Sequence, residues 1–291
     1  MTDEHFTGAG VNVMYHETPN RRARAASGIT YAYRRCGPRG SQPPLLLLPH
    51  FSGTLDSWDP ALVDALATER DVIAFDNAGV GLSTGSTPRT IRDTALDAMA
   101  FLRAVEVREV DVLGFSMGGY TAQEMTLLQP AAVRRLVLAA TAPRGAPGIH
   151  GLRDDVLGHV CSGEPRAQHY LSAFFNHTEA GQRSGLEFFG RYIERERDRD
   201  LPVSAAAREA QSAALLEWGV PDGGAPYGLG AIRQPTLVAG GDSDRVVPPS
   251  AFRLLAGSLP DARAHLYPDS GHGFLFQYHE EFAREVLDFL R

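Results

Sequence analysis

Short, mostly apolar runs recur along the chain at Leu45–Leu48, Asp71–Phe75, Val110–Leu113, Arg135–Ala139 and Thr236–Ala239. Runs of this length suit strands buried on both faces of a sheet. Between them lie stretches with helical spacing, at Trp58–Glu69, Thr90–Val105 and Tyr120–Gln129, the last stopped by Pro130. Gly28–Arg34 alternates apolar and polar positions and predicts an antiparallel edge strand. A last strand is expected at Ala264–Tyr267. Residues 1 to 26 are polar, with Arg21, Arg22 and Arg24 clustered, and predict an extended arm with one strand at Val11–Tyr15. Alternation of strand and helix places the chain in the α/β class with a mostly parallel sheet.

The rhythm breaks after Thr141. Pro143, Gly145, Pro147, Gly148 and Gly151 make a loop, and the chain from Leu152 to Trp218 carries only helical patterning, with Phe174, Phe175, Leu186, Phe188, Phe189 and Tyr192. Pro202 and Pro221-Asp-Gly-Gly224 punctuate its end before strand patterning returns at Thr236. This predicts residues 1–142 and 233–291 as a sheet domain and residues 143–232 as a helical cap. The charged run Glu194–Asp200 predicts the solvated face of a helix.

Composition narrows the classes. The 291 residues allow one large domain, and a 43% hydrophobic share is ample for a core. A net charge of −7 argues against nucleic acid or an anionic membrane as partner. Two distant cysteines, Cys36 and Cys161, make no disulfide framework and fit a reducing, cytoplasmic compartment. Met1–His5 is acidic and lacks the apolar stretch of a secretory signal. No metal-ligand spacing occurs, so no cofactor is expected. A small-molecule substrate is the expected partner, with a homodimer left open.

The strongest local signal is Gly114-Phe-Ser116-Met-Gly118, a G-x-S-x-G between an apolar strand and a helix. A serine on so sharp a turn needs small neighbours, because side chains at 114 and 118 would collide as the backbone doubles back. That context makes Ser116 a nucleophile candidate on a strained elbow. A nucleophilic serine needs a base, and the base an orienting carboxylate. Two later loops at strand ends carry them: Gly241-Asp242-Ser243-Asp244, and Ser270-Gly271-His272-Gly273. Asp242 and Asp244 both remain candidates for the acid. Asp76–Gly81 lacks the third glycine and the helix start of a dinucleotide site.

Five pieces in this order resemble the α/β-hydrolase superfamily across nearly the whole chain. They are His50-Phe51-Ser52-Gly53, Asp76-Asn-Ala-Gly-Val-Gly-Leu-Ser83, the elbow, Gly241-x-x-Asp244 with Val247-Pro248, and Gly271-His272. In detail they are similar to bacterial esterases and cofactor-free haloperoxidases. The resemblance implies an eight-stranded, mostly parallel sheet flanked by helices, with a helical lid inserted before the last two strands. It implies Ser116 as nucleophile, His272 as base and Asp244, by the G-x-x-D spacing, as acid. The implied oxyanion donors are the Met117 and Phe51 N–H groups, with Ser52 as the alternative to Phe51. The family usually has His-Gly where this chain has His50-Phe51, and Arg or Pro where it has Ala78. His50 is expected to brace its own loop. With Ser52, Phe115, Tyr120 and Phe274 it forms the candidate substrate-binding set, core packing being the competing explanation for the aromatics. The implied activity is cleavage of an ester, lactone or thioester of a moderately apolar small molecule. Alternatives on the same residues are C–C hydrolysis, perhydrolase or haloperoxidase-like chemistry and cyclisation. A non-catalytic ligand-binding protein on the same scaffold is the alternative of another class.

Overall fold

The computed structural model describes residues 14–147, 149, 167–220 and 228–291. An eight-stranded sheet runs through them: β1 (Arg21–Arg24), β2 (Thr30–Cys36), β3 (Leu45–Leu48), β4 (Val72–Phe75), β5 (Val110–Phe115), β6 (Val133–Ala139), β7 (Thr236–Gly241) and β8 (Ala262–Tyr267). Their spatial order is β1-β2-β4-β3-β5-β6-β7-β8. β2 pairs antiparallel with β1 and β4, and the remaining pairs are parallel. The described helices are α1 (Pro60–Ala67), α2 (Ile91–Ala104), α3 (Met117–Leu128), α4 (Ala167–Phe174), α5 (Glu179–Tyr192), α6 (Ala205–Gly219), α7 (Pro249–Ser258), α8 (Phe274–Gln277) and α9 (His279–Leu290).

The two-residue period of a strand sends neighbouring side chains to opposite faces, so each central strand feeds two cores. Leu45, Leu47, Val72, Ala74, Leu113 and Val137 pack with α1, α8 and α9 on one face. Leu46, Leu48, Ile73, Phe75, Val112 and Leu138 pack with α2, α3 and α7 on the other. That is why β3 and β4 read as continuous apolar runs: all their residues are buried. Helix starts are set by polar side chains. Asp59 accepts the Ala61 N–H at α1, and Thr90 accepts the Asp93 N–H at α2.

Three sequence expectations change at the edges. Gly28–Arg34 is not an edge strand: β1 covers it, formed by the arginine cluster expected in an extended arm. Only Ala23 of β1 is buried, too little apolar pattern to mark a strand, and its exposed arginines suit an edge that must not recruit another chain. Tyr15 opens a 3-10 turn, Tyr15–Glu17, in place of the expected strand, of which residues 11–13 lie outside the described residues. Helix α3 begins at Met117, directly after Ser116, and not at Tyr120.

Between β6 and β7 the described chain is helical. Phe174, Phe175, Phe188 and Tyr192 of α4 and α5 join the core cluster built on β3 and α1. The loop residues Gly148 and Gly151, the chain from Leu152 to Arg166 with Cys161, and Pro221–Gly224 lie outside the described residues. The charged run is not helical, although Glu194, Glu196, Arg197 and Asp198 are exposed as expected. Glu194–Asp200 is a loop, and it is tied into the sheet domain. Arg195 is buried and donates to the His16 and Thr18 carbonyls at 2.5 and 3.0 Å. The Asp200 N–H donates to Asp56 Oδ2 at 2.8 Å, and the Asp56 N–H donates back to Asp200 Oδ2 at 3.1 Å. Asp56 also takes Arg34 Nη2 at 2.6 Å, where Arg34 is fully buried. A charge run predicts solvent only when its charges are unpaired; paired charges can be buried.

Within this cluster burial pushes the Asp76 and Asp200 carboxyls above the ordinary value of 3.8, reinforced by the charge of Asp200 for Asp76 and by that of Asp56 for Asp200. The folded state therefore holds a proton the unfolded chain releases. This contribution is complete below about pH 4 and is lost as pH rises through the raised folded value. Replacing Asp200 by Asn supplies a permanent donor to Asp76. We expect denaturant unfolding of D200N from pH 4 to 9 to lose less stability with rising pH than wild type; parallel curves would remove the shared proton.

Candidate active site

Ser116 links β5 to α3 at φ 55°, ψ −117°, a conformation few non-glycine residues adopt. The surroundings leave it no alternative. A Cβ on Gly114 would meet the Gly118 carbonyl oxygen at 2.4 Å, and one on Gly118 would meet the Leu48 oxygen at 2.0 Å. A Cβ on Gly119 would meet Thr141 Oγ1 at 2.5 Å. The Ser116 N–H donates to the Ala139 carbonyl at 2.9 Å, and the Ser116 carbonyl accepts Thr141 Oγ1 at 2.9 Å and the Gly119 N–H at 2.8 Å. Gln123 Nε2 ties the first turn of α3 to the chain after β6 through the Gly119 and Ala142 carbonyls.

His272 comes from the loop after β8, and its Nε2 lies 2.9 Å from Ser116 Oγ. Its Nδ1 lies 2.8 Å from Asp244 Oδ2, on the loop after β7. A carboxylate accepts but does not donate, so it places the ring proton on Nδ1 and leaves the Nε2 lone pair facing the serine hydroxyl. Asp244 is itself held, with Oδ1 accepting the Val246 and Val247 N–H groups at 2.7 and 2.9 Å. All three side chains are nearly enclosed, at 8% exposure for Ser116, 6% for Asp244 and 2% for His272. Asp242 turns away: its Oδ1 takes Ser243 Oγ at 2.7 Å and faces the Ser270 N–H.

The His272 ring lies against Phe115 and Phe174, with centroids 5.2 and 5.6 Å away. Helix α4 grips this loop. The Gly273 N–H donates to the Phe174 carbonyl at 2.8 Å, and a Cβ on Gly271 would meet the same oxygen at 2.7 Å. Small residues at 271 and 273 therefore let the inserted helices approach His272.

The other expected site residues divide. Phe51, Met117 and Tyr120 share an apolar cluster with Ala214, Leu215 and Trp218 of α6. Tyr120 stacks on Trp218 at 5.3 Å. Ser52 sits in that loop at φ 58°, with its N–H on Gln211 Oε1 at 2.8 Å. Phe115 is fully buried beneath His272 and Phe276, a packing support and not a pocket wall. Phe274 is also core: its ring contacts run to Tyr267 and Phe282. His50 donates from Nδ1 to its neighbour, the Phe51 carbonyl, at 2.7 Å, and packs edge-on to Phe115 and Phe174. His265 pairs with Glu285 at the exposed β8 edge. Sequence reasoning missed Thr141, Gln123 and Gln211. Only Gln211 had a signal, as the polar member of the stripe 211, 214, 215, 218 on an otherwise apolar helix face. Among the described residues no group of His, Cys, Asp or Glu is placed to hold a metal ion, and no helix is long and apolar enough to cross a membrane.

The profile of the alpha/beta hydrolase fold family matches residues 43–277. A poly(3-hydroxyalkanoate) depolymerase of Ectopseudomonas oleovorans is 31% identical over 253 residues, 85% of this chain and 84% of that protein. A 2-hydroxymuconate semialdehyde hydrolase of Pseudomonas sp. (strain CF600) is 29% identical over 85% of this chain and 86% of its own. The solved structure of an alpha/beta hydrolase fold protein from Chitinophaga pinensis superposes with a TM-score of 0.89 at 36% identity, covering 95% of this chain and 98% of that one.

Burial drops the His50 ring from 6.5 to about 4, with His272 nearby acting in the same direction and the Phe51 carbonyl opposing. Its folded value lies below its unfolded one, so the unfolded chain binds the extra proton. Stability is lost as pH falls from 6.5 and the loss is complete near 4, amounting to about 3 kcal/mol for 2.5 units. A His50→Asn variant keeps a side-chain donor and cannot titrate. We expect its unfolding free energy to fall less between pH 7 and 4 than that of wild type; an equal fall would place the acid sensitivity elsewhere.

Proposed function

Because the chain belongs to the alpha/beta hydrolase fold family, we propose that it is a serine hydrolase that forms an acyl-enzyme on Ser116. The carrying observation is the continuous hydrogen-bond chain Ser116 Oγ–His272 Nε2, His272 Nδ1–Asp244 Oδ2. Ser116 Oγ attacks the substrate carbonyl carbon as its proton passes to His272 Nε2. Asp244 holds the ring and balances the charge it gains. The carbonyl oxygen becomes an oxyanion between the N–H groups of Met117 and Phe51. Met117 opens α3, where first-turn N–H groups have no partner within the helix. Phe51 is preferred to Ser52 because the Ser52 N–H is already engaged by Gln211. The tetrahedral species collapses, the leaving oxygen or sulfur takes the proton from His272, and water repeats the sequence on the acyl-enzyme.

The substrate is an ester, lactone or thioester of moderately apolar character. Phe51, Met117, Tyr120, Leu215 and Trp218 offer it an apolar wall beside Ser116. Likeness to a protein named as a polyester depolymerase supports the ester reading. A C–C hydrolase on the same residues is the second reading, supported by the likeness to 2-hydroxymuconate semialdehyde hydrolase. We further place residues 143–232 as a cap that moves apart from the sheet domain 1–142 and 233–291.

Four measurements test these assignments. A fluorophosphonate probe should label wild type and not Ser116→Ala, and turnover of that variant should fall on the order of 10⁴-fold or more. Retention of a tenth of the rate would move the nucleophile. Asp244→Asn should cost far more activity than Asp242→Asn, and equal losses would unseat Asp244. A panel of p-nitrophenyl esters run beside a lactone and a diketone should favour the esters; turnover of the diketone alone would select C–C cleavage. Hydrogen exchange should open α4 to α6 at lower free energy than β3 to β7, and uniform protection would count against a mobile cap.

A further inference from the structure

We propose that Gln211 of α6 is a positioning residue for the oxyanion loop, so that the loop takes its working shape only when α6 is seated. The proposal rests on the serine-hydrolase reading above. His50–Gly53 is a tight turn closed by the Gly53 N–H on the His50 carbonyl at 3.0 Å. Its third residue, Ser52, has φ 58°, while its second, Phe51, has negative φ. Turns of that shape call for Gly or Asn at the third position, because a Cβ there is strained. A serine favours the alternative turn, reached by flipping the single peptide between residues 51 and 52.

That peptide is held at both ends. Its C=O, belonging to Phe51, accepts His50 Nδ1 at 2.7 Å from within the sheet domain. Its N–H, belonging to Ser52, donates to Gln211 Oε1 at 2.8 Å from α6, 159 positions away in sequence. A backbone N–H can meet only the oxygen end of an amide, so the orientation of Gln211 is settled by this contact. Gln211 is 1% exposed, and its Nε2 is buried with no hydrogen-bond partner among the described residues. An unpaired buried donor is unfavourable, and a leucine would fill the same stripe without that defect. Among the described residues, the one polar service the side chain performs is to hold Ser52. A flipped peptide would turn the Phe51 carbonyl toward α6 and release His50, so the turn that carries the Phe51 N–H would lose both side-chain anchors that hold it still.

The experiment uses the full-length protein and a fluorophosphonate probe together with p-nitrophenyl butyrate. Gln211→Met keeps the length and burial of the side chain and removes the acceptor. We expect its labelling rate and kcat to fall roughly 10- to 100-fold with KM within about 3-fold, since an oxyanion donor acts in the transition state. Glycine adopts positive φ without strain, so in a Ser52→Gly background the same Gln211→Met change should cost at least 5-fold less. A wild-type labelling rate in Gln211→Met, a loss confined to KM, or an undiminished loss in the Ser52→Gly background would each overturn the proposal. If Gln211→Met does not fold by circular dichroism, Gln211→Asn, too short to reach Ser52 but still polar, carries the same comparison. Absence of labelling in wild type would instead defeat the hydrolase reading itself.

Discussion

The backbone at Ser116 is bent into a conformation that serine resists, and the rest of the site is arranged around that bend. Strain of this kind costs about 1–3 kcal/mol and persists only where neighbours over-determine it. Here they do so by exclusion and by bonding. Gly114, Gly118 and Gly119 stand where any Cβ would strike the Gly118 carbonyl, Leu48 or Thr141. The Ala139 carbonyl and Thr141 hydroxyl hold the serine's own peptide groups from the adjacent strand end. The bend lifts Oγ off the sheet toward His272, and it starts α3 at Met117, directly after the serine. One constraint thus sets both the direction of the hydroxyl and the start of the helix beside it.

A second constraint is dryness. Aromatic rings surround the His272–Asp244 pair: Phe115 below, Phe174 from α4 beside it, and Phe276 behind. In so apolar a setting a charge is tolerated only with a partner, and Asp244 has both a ring N–H and two backbone N–H groups. The same apolar setting keeps His50 neutral, which leaves its Nδ1 proton on the Phe51 carbonyl and spares His272 a neighbouring cation. Both histidines are buried, and their partners divide them: a carbonyl makes His50 a fixed brace, while Asp244 turns the His272 Nε2 lone pair to Ser116.

The inserted helices meet the sheet domain by two kinds of contact. Aromatic packing of α4 and α5 closes over Trp58, Phe115 and Phe276, while the Arg34–Asp56–Asp200–Arg195 network anchors the loop before α6. Buried ion pairs are weak sources of stability but demanding of geometry. This network therefore sets where α6 starts, and with it where Gln211, Leu215 and Trp218 face the loop after β3.

The sequence by itself determined the central strands, the helices flanking them and the order of the chemical pieces, because those signals are local. Unbroken apolar runs such as Leu45–Leu48 follow from burial on both faces, and Gly114 of the serine motif follows from a clash with the Gly118 carbonyl four residues on, whereas Gly118 is required by Leu48 of the neighbouring strand. Tertiary structure decided whatever depended on residues distant in the chain. β1 is a strand because β2 offers it hydrogen bonds, not because Arg21–Arg24 has a strand's pattern. The charged run keeps Glu194, Glu196, Arg197 and Asp198 in solvent, but Arg195 is buried and Asp200 is tied to Asp56, a partner more than a hundred positions away. Asp244 faces His272 while Asp242, two residues earlier, does not, since a loop's direction depends on what it packs against. Phe274 looked like a site residue from its place after His272, but the turn of α8 points it at Tyr267 and Phe282. Gln211 was one polar letter in an apolar stripe, and only the fold brings its amide oxygen to Ser52.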